Sequence, residues 1–173
     1  MARKVIKVEL SQLSVQNAID ELNALKSRLI DKNELFVKRL AETGVPIVDE
    51  QIALSHGDSD KEHATEIRVE RGIDSAKATL VISGKDILFI EFGAGISYNG
   101  PAGSSPHPQG EQYGYTIGSY GKGLGRLYSW TYTDEHGNKV RSHGTQATFP
   151  VYLAGREIAS QILTIAREVF GNG

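Results

Sequence analysis

The sequence predicts an α+β fold: an antiparallel sheet with a long N-terminal helix and a C-terminal helix packed on it, plus a long loop rich in glycine and tyrosine. Three observations carry this. Apolar residues recur at three- and four-residue steps in two long stretches, one near each end. Between them lie short alternating or continuous apolar runs bounded by turn residues. Many of the 19 glycines fall between Gly93 and Gly125, where neither period holds. A length of 173 residues fits a single α+β domain, 1–173, with an extended loop or arm at about 94–126.

Lys4 to Leu10 alternates, with Val5, Ile6, Val8 and Leu10 apolar, and reads as a short strand. Ser11 or Ser14 can cap the helix that follows. Val15, Ile19, Leu22, Leu25 and Leu29 form its stripe. Asp31 to Glu34 reads as a polar turn or a fresh capping box, after which Phe36, Val37 and Leu40 continue the stripe to a stop at Gly44. Pro46 is expected to start another short helix toward Leu54. The polar "SHGDSDKEH" is a loop. Glu66–Val69 and Ala78–Ile82 read as strands, and Ile87–Phe92 as a strand or one helical turn.

"LYSWTYTDEHGNKVRSH" predicts a hairpin with a two-residue turn at Gly137-Asn138. That register pairs Asp134 with Arg141 and Tyr132 with His143, and sets Tyr128, Trp130 and Tyr132 on one packing face. The last helix has Thr148 as cap, Pro150 in the first turn and Gly171 as stop. Its stripe is Val151, Ala154, Ile158, Ile162, Ile165 and Val169. Gly155 is expected to be buried at a close approach to another element.

A net charge of −2 argues against general nucleic-acid binding, which needs a basic face. The absence of cysteine excludes disulfides, thiolate metal sites and cysteine nucleophiles. "MARKVIKVEL" lacks the apolar run of a signal peptide, and nothing approaches about 18 consecutive apolar residues, so neither export by that route nor a membrane span is expected.

Catalytic motifs fail on spacing. Around Gly121-Lys122 of "GSYGKGLG", position 116 is threonine and 123 is glycine, where a P-loop needs glycine and serine or threonine. His56, Asp58, Asp60 and His63 match no zinc or EF-hand spacing and read as a solvated loop. No serine lies in a G-x-S-x-G elbow. No catalytic residue, metal or cofactor is expected. His107, His136 and His143 read as polar surface or turn residues. Two alternatives stay open: a small hydrolase-like enzyme using the loop as a lid over His107, Asp134 and His143, or a ligand- or peptide-binding module.

The loop itself is the informative feature, since structureless segments beyond about 12–15 residues are uncommon in compact domains. Glycine lends adaptability, and Tyr98, Tyr113, Tyr115 and Tyr120 supply contact area with a polar tip. With Lys122 and Arg126 they are the expected subunit-interface residues. Deleting residues 98–120 is expected to leave a folded chain that no longer assembles.

Two segments resemble a known family. "FIEFGAG" at Phe89–Gly95 resembles the short "vEfGt" block of the head–tail joining, tail-completion or neck proteins of long-tailed bacteriophages. "HGTQATFPVYLAGREI" at His143–Ile158 is similar to the family's "G-x-pA-x-PF" lead into its final helix, with Phe149-Pro150 inverting the usual Pro-Phe. The variable family loop between them often holds histidine, proline and glycine, as in "PHPQG" here. The first half agrees by element order, although "ETGVPIVDEQ" has its Thr-Gly and proline in a different order from the family's. On this resemblance Glu91, Phe92, Gly93, Gly95, Gly144, Ala147, Phe149 and Pro150 are structural motif residues, with Phe92 and Phe149 as core anchors. The resemblance implies a virion protein without catalysis, located at the neck and in the host cytoplasm during assembly. Its implied partners are copies of itself in a ring, the head-side connector, and the tail terminator or tail tube. DNA would pass through the lumen without specific binding, and no membrane is involved.

Overall fold

A computed structural model describes residues 11–119 and 121–171 of the chain. The expected strand at Lys4–Leu10 lies outside them, as do Tyr120 and the side chain of Lys122. The fold is α+β. Its elements are α1 (Gln12–Leu54), β1 (Ala64–Arg71), β2 (Ala76–Ser83), α2 (Ile87–Phe92), α3 (Ile96–Asn99), a 3-10 helix at Gly121–Arg126, β3 (Trp130–Thr133), β4 (Lys139–Ser142) and α4 (Pro150–Gly171). Among the described residues the strands divide between two two-stranded sheets, β1–β2 and β3–β4. Among the described residues no helix is long and apolar enough to cross a membrane.

α1 is one helix of 43 residues, where the sequence predicts a stop at Gly44 and a restart at Pro46. Pro46 removes one backbone hydrogen bond, at a cost of about 3 kcal/mol in a helix interior. Burial outweighs it. Leu40, Ala41, Gly44, Val48 and Ile52 keep helical spacing across the proline, and all five are buried, while Pro46 itself faces solvent. The Thr43 hydroxyl donates to the Leu40 carbonyl just before the proline. The expected turn at Asp31–Glu34 is also helical, and both carboxylates engage Arg71, at 2.8 and 3.3 Å.

The chain divides into two compact units, to both of which α1, α4 and the β1–β2 hairpin contribute. One takes residues up to Thr43, Ile67–Leu80 and the residues from Ile158. Its core sets Leu40 of α1 against Ile165 and Val169 of α4, flanked by Phe36, Ile158 and Phe170. Phe36 and Phe170 meet at 5.6 Å between ring centroids.

The other takes Gly44–Glu66 and Val81–Glu157. Val48, Ile52, Ile90 and Ile117 are fully buried there, with Ile87, Phe92, Ala94, Ala147 and Ala154 around them. Ile87–Phe92, left open between strand and helix, is helical. Ile117 belongs to the glycine-rich segment and exchanges backbone hydrogen bonds with residues 103 and 104. The segment thus supplies core, and deleting residues 98–120 would remove it rather than leave a folded chain.

Four further local expectations are corrected. The β3–β4 register pairs Thr131 with Arg141 and Tyr132 with Val140, not Asp134 with Arg141 or Tyr132 with His143. The Asp134 carboxylate accepts the N–H groups of His136 and Asn138, which folds residues 134–138 into a wider turn than the two-residue one. Those bonds, that from the Asn138 backbone first, hold the Asp134 carboxyl below its ordinary value. On the aromatic row, Tyr128 and Tyr132 are exposed and only Trp130 is half-buried. Gly155 is exposed, with nothing within 4 Å of where a side chain would begin. The buried line of α4 runs through Ala154, Ile165 and Val169, leaving Val151 and Ile162 exposed.

Candidate functional site

The second unit holds Phe89–Gly95 and the second resembling segment up to Glu157, and the contacts begin with backbone. Ala94 and Thr145 exchange hydrogen bonds of 2.9 and 2.8 Å. Thr145 also bridges Gly57 on its other side, and Asp58 N–H donates to the Gly144 carbonyl at 3.0 Å. Gly144 is required here: its φ is +93°, and a methyl group on it would lie 2.0 Å from the Ala94 carbonyl oxygen. The tripeptide Ser-His-Gly occurs at 55–57 and again at 142–144. The residues around the two copies interlock. The Ser55 hydroxyl donates to the Gln146 carbonyl, His56 meets the Gln146 side chain, and the Asp58 carboxylate accepts the His143 N–H.

Asn99, at the end of α3, ties the same junction together. Its amide nitrogen donates to the carbonyls of Ala94, Gly95 and Thr145, and its oxygen accepts the Ala147 N–H at 2.8 Å. Gly95 allows close approach of another kind, since a side chain there would begin 2.8 Å from the Trp130 ring.

The most buried polar pair is Glu91 and His107, at 4% exposure each. His107 Nε2 lies 2.9 Å from Glu91 Oε1. Its Nδ1 accepts the Gln109 N–H at 3.0 Å, so the ring proton sits on Nε2 and is donated to the carboxylate. Glu91 also receives the N–H of Val151 at 2.7 Å and of Tyr152 at 3.1 Å. These are first-turn donors of α4, otherwise without an intrahelical acceptor. A buried anion at a helix N-terminus meets both unpaired N–H groups and the positive end of the helix dipole. The expected cap, Thr148, does something else: its hydroxyl donates to the Gln51 carbonyl of α1.

Aromatic rings close around the pair. His107 packs edge-on against Phe149 and Tyr152, each at 5.4 Å, and lies 4.7 Å from Phe92. Phe92 stacks on Tyr115 at 4.1 Å and 10°. Phe149 has a φ of +60°, costly for a bulky residue, and this packing holds it there. Glu91, Phe92, Gly93, Gly95, Gly144, Ala147 and Pro150 are all buried and Phe149 is half-buried, so the motif residues form one contiguous junction.

The expected interface residues lie differently. Tyr98 and Tyr113 are 45% and 56% exposed, Arg126 is exposed, and Tyr115 is half-buried on Phe92. Tyr120 and the Lys122 side chain fall outside the described residues. The three residues of the enzyme alternative are each held elsewhere: His107 by Glu91, Asp134 by its own turn, His143 beside Asp58. A cleft of about 620 Å³ is lined by, among others, Phe89, Trp130, Tyr132, Asp58, Asp86 and Asp134. Among the described residues no group of three or more histidine or carboxylate side chains could hold a metal ion.

Sequence reasoning passed over Glu91 as a cap, His107 as a buried residue, and Asn99 altogether. "PHPQG" in a polar stretch carries no periodic signal, so nothing local marks its histidine as buried. No family model matches the chain, and neither does any curated protein or solved structure.

Proposed function

We propose that this chain is a structural virion protein of a tailed phage, part of the neck or tail-completion ring that joins the DNA-filled head to the tail. One observation carries the reading. The two segments that resemble this family, far apart in sequence, meet in a single junction through the Glu91 carboxylate, Asn99 and the Ala94–Thr145 bridge.

The junction's polar groups are spent on each other. Glu91 and His107 are buried and mutually bonded, which suits a rigid scaffold rather than a reacting centre. The scaffold presents Tyr98 and Tyr113 outward, amphipathic contact area of the kind that ring neighbours use. A ring requires head-to-tail contacts that close by rotation, and the net charge of −2 suits a lumen that lets DNA pass.

The test is genetic. A phage carrying this gene with a stop codon should accumulate filled heads and separate tails, and a plasmid copy should restore joined particles. The Tyr98→Ala, Tyr113→Ala double variant should fold yet restore fewer. Normal particles from the stop-codon phage would refute the proposal.

A further inference from the structure

The junction depends on an asparagine that is followed by glycine, and the fold requires both. Asn99 ends α3. Its amide nitrogen donates to the carbonyls of Ala94, Gly95 and Thr145 at 3.2, 3.1 and 2.7 Å, and its oxygen accepts the Ala147 N–H at 2.8 Å. A primary amide supplies donor and acceptor at once, which this position uses in full. Gly93 backs the same group: a methyl group on it would lie 2.6–3.0 Å from the Asn99 amide atoms, so no side chain fits between them. Gly100 follows with a φ of +93°, a conformation that favours glycine.

That pairing carries a chemical liability. In an Asn-Gly sequence the glycine nitrogen has no side chain beside it to hinder its attack on the asparagine Cγ. Once base removes its proton, the attack forms a bond between Gly100 N and Asn99 Cγ, breaks the bond from Cγ to Nδ2 and releases ammonia, leaving a five-membered imide. Water then opens the imide at either carbonyl, to aspartate or to isoaspartate. For the ring to close, the Asn99 side chain must turn back onto its own following peptide bond. Its four hydrogen bonds point it instead at residues 94, 95, 145 and 147. In the folded chain the reaction therefore waits on opening of the junction.

The product does not fit back. Aspartate brings no donor, so an anionic oxygen would stand at the Nδ2 position against three carbonyl oxygens. Isoaspartate adds a methylene to the main chain just where Gly100 turns it.

We propose that Asn99 is a deamidation site that the folded junction holds closed, so that a chain which unfolds is converted there and cannot return to the native state. Nothing in this requires assembly into a particle.

The test holds the full chain at mildly alkaline pH, with and without guanidinium chloride. Position 99 is followed by peptide mapping with mass spectrometry, which separates asparagine, aspartate and isoaspartate. In denaturant Asn99 should convert as fast as it does in a free peptide spanning residues 97–103. Without denaturant it should convert at least about a hundred-fold more slowly, the protection expected where reaction needs opening of a packed region. On dilution from denaturant, unconverted chains should recover the cooperative urea transition and converted chains should not. Asn99→Asp, which encodes one product directly, should show a lower urea midpoint or no transition. Conversion in the native chain at the free-peptide rate, an Asn99 that survives in denaturant, or a converted or Asn99→Asp chain with the wild-type midpoint would overturn the proposal.

Discussion

Replacing Glu91 by glutamine tests the junction with almost no change of shape. The carboxylate accepts three N–H groups: His107 Nε2 and Tyr152 on Oε1, and Val151 on Oε2. Glutamine offers one acceptor oxygen and a donor NH₂. Turned one way, it keeps the Oε1 partners and sets a donor against the Val151 N–H; turned the other way, it loses two bonds instead of one. Reversing the His107 ring does not help, because Nδ1 is needed by the Gln109 N–H. The cheaper orientation still forfeits one charge-assisted hydrogen bond, worth about 1.5–3 kcal/mol. The lost anion at the α4 N-terminus adds about 0.3–1 kcal/mol. Glu91→Gln should therefore cost about 2–4 kcal/mol. Glu91→Ala, which leaves the buried His107 donor and two part-buried backbone N–H groups without this partner, should cost about 3–5 kcal/mol. Equilibrium urea unfolding followed by circular dichroism reads this as a lower midpoint at unchanged slope. A Glu91→Gln midpoint equal to that of the wild type would refute the reasoning that the carboxylate holds α4 and the loop together.

Other substitutions separate necessity from accident among the glycines. Gly155→Ala should raise stability by about 1 kcal/mol, since the site is exposed, helical and unobstructed; the urea midpoint checks it. Gly144→Ala should abolish cooperative folding, because the added methyl collides with the Ala94 carbonyl at a positive φ; loss of the unfolding transition is the readout. A pH effect is expected at His63, whose pKa is raised first by its hydrogen bond to Asp49, 3.0 Å away, and then by the Lys61 carbonyl. Because the folded value lies above the unfolded one, this contribution is full below about pH 6.5 and is lost as pH rises through the folded value. Asp49→Asn should narrow the gap between urea midpoints at pH 5.5 and pH 8.5, and an unchanged gap would count against the pair.

Legibility followed locality. α4 was readable because Pro150, Gly171 and its 3–4 spacing are all local signals, and the structure places the helix at Pro150–Gly171. The β1–β2 strands were readable as short runs at Glu66–Val69 and Ala78–Ile82, although each strand is longer than its run. Misreadings arose where a distant group overrides a local one. Pro46 and Gly44 signal a break, but Val48 and Ile52 beyond them are buried and carry the helix on. Gly137-Asn138 signals a tight turn, but the Asp134 carboxylate widens it. Thr148 signals a cap, but Glu91, from another helix, takes the role. Within the candidate site, the resemblance marked Glu91, Phe92, Gly144 and Pro150, while His107 and Asn99 became visible only through the partners they meet in three dimensions.

The measurement that tests the central claim most directly is electron microscopy of particles carrying a labelled copy of this chain. The account predicts label confined to the head–tail junction, resolving into a ring on averaging. Joined, infectious particles that contain no copy of the chain would contradict it.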